Sequence, residues 1–317
     1  MNRALAVVRL ARPFTLLAPA LGLASGSLVA LGTERAKYAG DLAALREHLP
    51  AILAGAAMAA LLNAASNAVN QIFDLAIDRV NKPDRPLPAG HLTVADAWRV
   101  SAAGLLAALG IAAWLNTTTL VIVAFTSLVV YAYSGPPLRT KRLWWAANLT
   151  IAIPRGTLLF VAGWTAVDGD RRLDSMLLWV LGAMYGLFIL GAATTKDYAD
   201  IPGDRAEGCV TLPIRFGVRR SIWITAPFLV LPWLLLPTGA LAHNGGSVAR
   251  MWDASPQWSF HAGLGVALSL WGLHLVRLLL RDPERLTSSS THPSWQHMYL
   301  MMVVSQAGVA AGFWLPR

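Results

Sequence analysis

Two short acidic runs carry residue types at spacings able to do chemistry. The first reads Asn70-Gln71-Ile72-Phe73-Asp74-Leu75-Ala76-Ile77-Asp78, then Arg79, Asn81, Lys82, Pro83, Asp84, Arg85, Pro86, Pro88 and Gly90. Asn70, Asp74 and Asp78 recur every four residues, which on a helix stacks them on one face. Two carboxylates so placed repel each other unless a cation sits between them. Hard oxygen ligands suit Mg²⁺, which takes one or two carboxylates together with phosphate oxygens. Lys82 and Arg85 follow in a stretch stiffened by prolines, where cations are suited to gripping a diphosphate. A lone Asp here would read as a solvated helix end; the repeated spacing beside a basic run favours a metal–diphosphate reading.

The second run reads Lys196-Asp197-Tyr198-Ala199-Asp200-Ile201-Pro202-Gly203-Asp204-Arg205. Asp197, Asp200 and Asp204 share a face if a helix persists, and Pro202 and Gly203 argue against its persisting. Together the runs suggest two carboxylate clusters facing one cavity, holding two Mg²⁺ across one diphosphate. Asp74, Asp78, Asp200 and Asp204 are the candidate catalytic acids, and with Asp197 the candidate metal ligands. Lys196, Tyr198 and Arg205, set among the second run's acids, are candidate substrate contacts. Neutralising a diphosphate leaving group eases cleavage of an allylic C–O bond. Aromatic faces stabilise the allyl cation, a dry apolar cavity protects it from water, and a nucleophilic acceptor attacks it.

The elements that position these runs follow from composition. Of 317 residues, 56% are hydrophobic and 14% charged, against roughly 25% charged in an average soluble domain. The chain therefore meets lipid. Nine apolar runs are each long enough to span a bilayer: 13–32, 51–73, 97–115, 118–134, 143–167, 174–196, 221–242, 258–280 and 295–315. This predicts an all-α, multi-pass bundle in one membrane domain over 1–317, with a tight turn near Asn116. The net charge of +9 fits the positive-inside bias of membrane loops better than a nucleic-acid partner. Cys209 is the only cysteine, which excludes an intrachain disulfide and a Cys-based zinc site. Arg3, Arg9 and Arg12 precede the first apolar run as in a signal peptide, but Phe14 to Leu31 is long enough to anchor.

With the N-terminus in the cytoplasm, eighteen Lys and Arg residues fall inside. Seven fall outside: Arg35, Lys37, Arg46, Arg171, Arg172, Arg250 and Arg317. This places the N-terminus and both acidic runs in the cytoplasm and the C-terminus outside. Asp200 and Asp204 lie the same number of residues beyond Asp74 and Asp78. A repeated four-helix unit, about 1–134 and 143–280 with a ninth helix over 295–315, is one reading of that match; chance is the other. Arg155 falls within a span, where charges are costly and usually face a cavity or partner; Asn148 is two turns earlier on the same face. Arg12-Pro13 reads as an interface anchor, and Trp144, Trp145, Trp258 and Trp295 as belt residues.

The first run resembles the Asn-x3-Asp-x3-Asp signature of UbiA-superfamily prenyltransferases, with its Asn-Lys-Pro-x-Arg-Pro-Leu-Pro-x-Gly continuation. The second is similar to that family's Lys-Asp-x-x-Asp-x-x-Gly-Asp signature, and Tyr133-Ser134-Gly135-Pro136-Pro137-Leu138-Arg139-x-Lys141 is a third match. The resemblance covers nearly the whole chain. It implies a helical bundle around a central cavity with cytoplasmic caps, Mg²⁺, a prenyl diphosphate donor and a lipophilic acceptor. By motif position, Asn70 joins the acids as a metal or diphosphate residue, and Lys82, Arg85, Arg139 and Lys141 contact the diphosphate. Lys196 stands where benzoate-type members carry Tyr. With Leu212 to Gly217 (Leu-Pro-x-x-Phe-Gly), it resembles branches that make geranylgeranylglyceryl ether lipids, chlorophyll or tocopherol-type quinols. The competing class is a membrane transporter that moves a cation or substrate past the same acids.

Overall fold

The computed structural model describes residues 2–34, 41–243, 255–288 and 292–316. Four of the seven outer charges, Arg35, Lys37, Arg250 and Arg317, lie outside the described residues. Among the described residues no strand forms, and a lone parallel bridge joins Leu143 to Val210.

Helix α1 (Arg3–Ala11) is capped by Asn2, whose side chain accepts from the Ala4 and Leu5 amides. Arg12 then turns the chain into a 3₁₀ turn, Pro13–Leu16, and α2, Leu17–Glu34. There follow α3 (Asp41–Phe73), α4 (Leu75–Asn81), α5 (Val94–Leu115) and α6 (Thr117–Ser134). Asn116 ends α5 and caps α6 by accepting from the Thr119 amide, so the expected tight reversal takes one residue. Helix α7 (Trp144–Ala152) passes through a π-helical segment, Ile153–Leu158, into α8, Leu159–Asp168. Helix α9 (Met176–Ala192) continues through a 3₁₀ turn into α10, Asp197–Ala206. The rest is α11 (Leu212–Phe216), α12 (Val218–Val230), α13 (Leu235–His243), α14 (Pro256–Arg281), α15 (Pro283–Ser288) and α16 (Pro293–Gly312).

Eight of these helical stretches are long and apolar enough to cross a membrane: Pro13–Glu34, Ala43–Phe73, Val94–Leu115, Thr117–Ser134, Trp144–Asp168, Met176–Ala206, Val218–Ala240 and Pro256–Arg281. The expected ninth, 295–315, is helical as α16 but is not among the eight, because Gln296, His297 and Gln306 dilute its apolar run. The second acidic run also departs from expectation. It is no loop: the helix continues through Pro202 and Gly203 to Ala206.

The largest core gathers Phe160, Trp164, Tyr185, Phe188 and Trp233, each under 5% exposed. Large apolar side chains are equally plentiful outside, with Leu106 at 68%, Trp114 at 65% and Leu128 at 69% exposure, as a lipid-facing surface allows. Helices α2 and α8 cross in backbone contact. A Cβ on Gly26 would strike the Phe160 carbonyl, one on Gly163 the Leu23 carbonyl, and Ser27 Oγ donates to Gly163 O across the crossing at 2.6 Å.

Candidate functional site

A cavity of about 400 Å³ opens among the ends of α3, α4, α6, α7, α9, α10 and α16. Asp74 sits in the break between α3 and α4, at φ −98 and ψ 11. The helical ladder nonetheless bridges the break, with Asp74 N bonded to Asn70 O at 2.8 Å and Asp78 N to Asp74 O at 2.7 Å. Asn70, Asp74 and Asp78 thus all line the cavity, as do Asp197, Asp200 and Asp204 opposite.

Asn81 fastens the two runs together. Its Nδ2 donates to Asp200 O at 3.0 Å, and its Oδ1 accepts from the Gly203 amide at 3.0 Å. A Cβ on Gly203 would stand 2.6 Å from Asn81 Nδ2, so glycine is needed there for the close approach.

Cations face most of the acids. Lys141 bonds Asp74, Lys82 bonds Asp200, and Arg85 Nη1 donates to both oxygens of Asp78 at 2.7 and 2.6 Å. Lys196 Nζ donates to the Tyr133 hydroxyl at 2.8 Å and lies 3.9 Å from Asp197. Burial pulls the Lys82 ammonium down while Asp200 pulls it back up. Burial likewise pushes the Lys141 ammonium down to about 8. Ser134 Oγ donates to Asn70 Oδ1 at 3.3 Å. Asn148 also lines the cavity, held by its bonds to Leu190 O and Thr194 Oγ1.

Three candidates do not reach the cavity. Tyr198 is 1% exposed and packs in the core against Ser221, one helical residue off the face its neighbour Asp197 presents. Arg205 is exposed on the outer side of α10. Arg139 donates from Nη2 to Phe73 O at 3.1 Å, bracing the end of α3. Conversely, Arg12, Tyr133, Trp295 and Tyr299 line the cavity although their residue types alone did not mark them. Arg12 is turned inward by a left-handed backbone, φ 57, a conformation that costs an L-residue about 1–2 kcal/mol. Side chains of α3 hold that turn: Asn67 donates to Ala11 O and Thr15 Oγ1, and Gln71 to Leu10 O. The sequence signal was the Arg-Pro pair before the first span.

The donor set suits a hard cation. Among the described residues no three acidic, His or Cys side chains converge on a point. The site instead offers separate carboxylates around one cavity, as Mg²⁺ uses when phosphate oxygens complete its shell.

The pattern defining the UbiA prenyltransferase family matches residues 38–301. A digeranylgeranylglyceryl phosphate synthase from Natronomonas pharaonis is 35% identical over 229 residues, 70% of this chain and 75% of that one. The enzyme of the same name from Methanoculleus marisnigri is 31% identical over 217 residues, 68% and 70% of the two chains. Among solved structures, a UbiA homologue from Archaeoglobus fulgidus bound to GPP and Mg²⁺ superposes with a TM-score of 0.67. That match covers 97% of this chain and 99% of the other at 17% identity.

Proposed function

This chain belongs to the UbiA prenyltransferase family, and from that premise we propose how its own residues serve the reaction. It is a multi-pass membrane enzyme that transfers a prenyl group from a diphosphate donor to a lipophilic acceptor. In our reading Asp74 and Asp78 on one side, and Asp197, Asp200 and Asp204 on the other, would hold Mg²⁺, with Asn70 beside them. Bound there, the metal supplies positive charge to the leaving diphosphate. Lys82, Arg85, Lys141 and Lys196 turn from their carboxylate and tyrosine partners towards the diphosphate oxygens. The allylic C1–O bond breaks with its electron pair on the diphosphate, the acceptor's hydroxyl oxygen forms the new bond at C1, and its proton passes to the departing diphosphate. The apolar walls, including Phe188, Ile189 and Met302, keep water from the cationic fragment.

One observation carries this reading: two acidic runs distant in sequence are clasped by Asn81 across one cavity, with lysines and an arginine on their carboxylates. Mg²⁺ is further supported by the metal in the Archaeoglobus homologue. Both relatives named digeranylgeranylglyceryl phosphate synthase support geranylgeranylglyceryl phosphate as the acceptor. The Lys and Arg bias supports a cytoplasmic N-terminus and site face, with the C-terminus outside. We take the chain as one membrane unit. That α3–α4 and α9–α10 each run from a long apolar span into a short helix with acids at or within its first turn supports an internal repeat.

The test is transfer of labelled geranylgeranyl diphosphate by purified protein with Mg²⁺. The acceptors offered are geranylgeranylglyceryl phosphate, homogentisate, hydroxybenzoate and a chlorophyllide. Labelled ether lipid is the expected product. Product on another acceptor overturns the acceptor assignment, and absence of pyrophosphate release with every acceptor overturns the assignment of these residues to transfer.

A further inference from the structure

Arg155 is a charge that its own protein leaves unneutralised. It lies midway along the Trp144–Asp168 span, where a cation is costly and usually faces a cavity or a partner. Other cavity cations have partners: Lys82, Arg85 and Lys141 on carboxylates and Lys196 on Tyr133. Among the described residues Arg155 has neither an ion pair nor a hydrogen bond, and the titratable groups facing it are Tyr133, Tyr299 and Arg12. Its guanidinium opens onto the main cavity and onto two recesses that adjoin it.

The backbone is built to aim this side chain. Ile153–Leu158 is π-helical, an irregularity found mostly at functional sites. Gly156 presses against the next helix, where a Cβ would stand 2.5 Å from Gly186 Cα. Arg155 shares one recess with Gln306, whose side chain is 4% exposed overall and whose Oε1 is buried without a partner. The helix runs roughly 16 Å from Trp144 to Arg155 at about 1.5 Å per residue. Arg155 is therefore set back from the acids that would hold the donor's diphosphate. A second substrate seated in this part of the cavity would face the allylic carbon from the side away from the acids.

We propose that Arg155, with Arg12 lining the same cavity, seats an anionic group of the acceptor. Two guanidiniums with no carboxylate between them suit a dianion, and their planar forks bind phosphate bidentately. The inference rests on the transfer reading above and adds what that reading leaves open: which residue reads the acceptor's phosphate.

The test compares geranylgeranylglyceryl phosphate with its dephosphorylated alcohol, by binding calorimetry on Mg²⁺-free protein and by steady-state transfer with Mg²⁺. Wild type is expected to bind the phosphorylated alcohol about tenfold or more tightly than the neutral one, the scale of one charge-assisted bond. Arg155→Gln should erase that preference, leave the KM for the prenyl diphosphate unchanged, and keep or raise the thermal midpoint, since it removes an unpaired buried charge. Arg155→Lys should retain part of the preference. A preference that survives in Arg155→Gln, or its absence in wild type, overturns the proposal. So does a rise in donor KM matching that for the acceptor. Preferential binding without transfer would leave Arg155 as the anion's seat and remove geranylgeranylglyceryl phosphate as the acceptor consumed.

Discussion

Asp74 and Asp78 face different kinds of cation, and the difference decides what losing each would do. The Asp78 side chain is 3% exposed and bonds Arg85 through both oxygens. A guanidinium cannot shed its proton. Asp78→Asn therefore leaves a buried charge uncompensated, at a cost on the order of 3–5 kcal/mol. We expect it to lower the thermal unfolding midpoint as well as activity. The double variant Asp78→Asn/Arg85→Gln should recover most of the midpoint and none of the turnover. Lys141, the partner of Asp74, is an ammonium that burial already pushes down to about 8, so it can go neutral when Asp74 is lost. Asp74→Asn is expected to abolish prenyl transfer with the midpoint nearly unchanged; full turnover in that variant would sink its assignment as a metal ligand. The acids were legible in the sequence because a four-residue repeat can mean little else beside a basic run. Tyr198 and Arg12 were not. Tyr198 lies one residue from an acid, about 100° around the helix, and only the packing of α12 decides that it points into the core. Arg12 faces inward because amides far along α3 hold its backbone left-handed, a tertiary effect with no local signature.

At the level of elements, Asn81 joins α4 to α10 beside the Lys82–Asp200 pair. Asn81→Ala removes both of its bonds to the second run, and Gly203→Ala drives a methyl into the space Asn81 fills. Each is expected to cut kcat/KM by about thirtyfold, in line with two hydrogen bonds at roughly 1 kcal/mol apiece. The pair together should be little worse than either alone; additive losses would show that Asn81 is no clasp. A second join is the capping box of α5. There Asp96 accepts from the Thr93 amide and hydroxyl and from Arg3. Span positions were legible because apolar runs of bilayer length have few other uses. The persistence of α10 was not, since Pro202 argues against it. A proline removes one helical hydrogen bond, and the Asn81 clasp on Asp200 and Gly203 holds the flanking turns in register.

For the whole molecule, the measurable quantity is which face of the bilayer carries the site. The sole cysteine, Cys209, is 2% exposed and its thiol is pushed up by burial, so Cys209→Ser gives a silent background for labelling. Arg205 and Arg171 are both exposed. In right-side-out vesicles a membrane-impermeant maleimide should label Arg171→Cys and spare Arg205→Cys, and inverted vesicles should reverse this. The opposite pattern would invert the topology drawn from the Lys and Arg bias. Helix α16 shows the limit of reading spans by apolarity alone. It carries Met298, Tyr299 and Met302 to the cavity wall and Gln306 to the recess beside it, so Gln306 serves the interior at the expense of the hydropathy that would identify the helix.

The pairing of acids with the protein's own cations bears on how the cycle turns over. Lys141 on Asp74, Lys82 on Asp200 and Arg85 on Asp78 give three of the cavity's acids a cation of the protein's own. Where diphosphate binds as proposed, it must take these cations from partners they already have, so the resting site competes with its own ligand. That competition weakens the hold on donor and pyrophosphate alike. The donor has a prenyl tail buried in apolar wall to set against the loss, and pyrophosphate has none. The same three pairs that admit the substrate therefore close behind the departing product, and favour release over retention once the tail has been handed on.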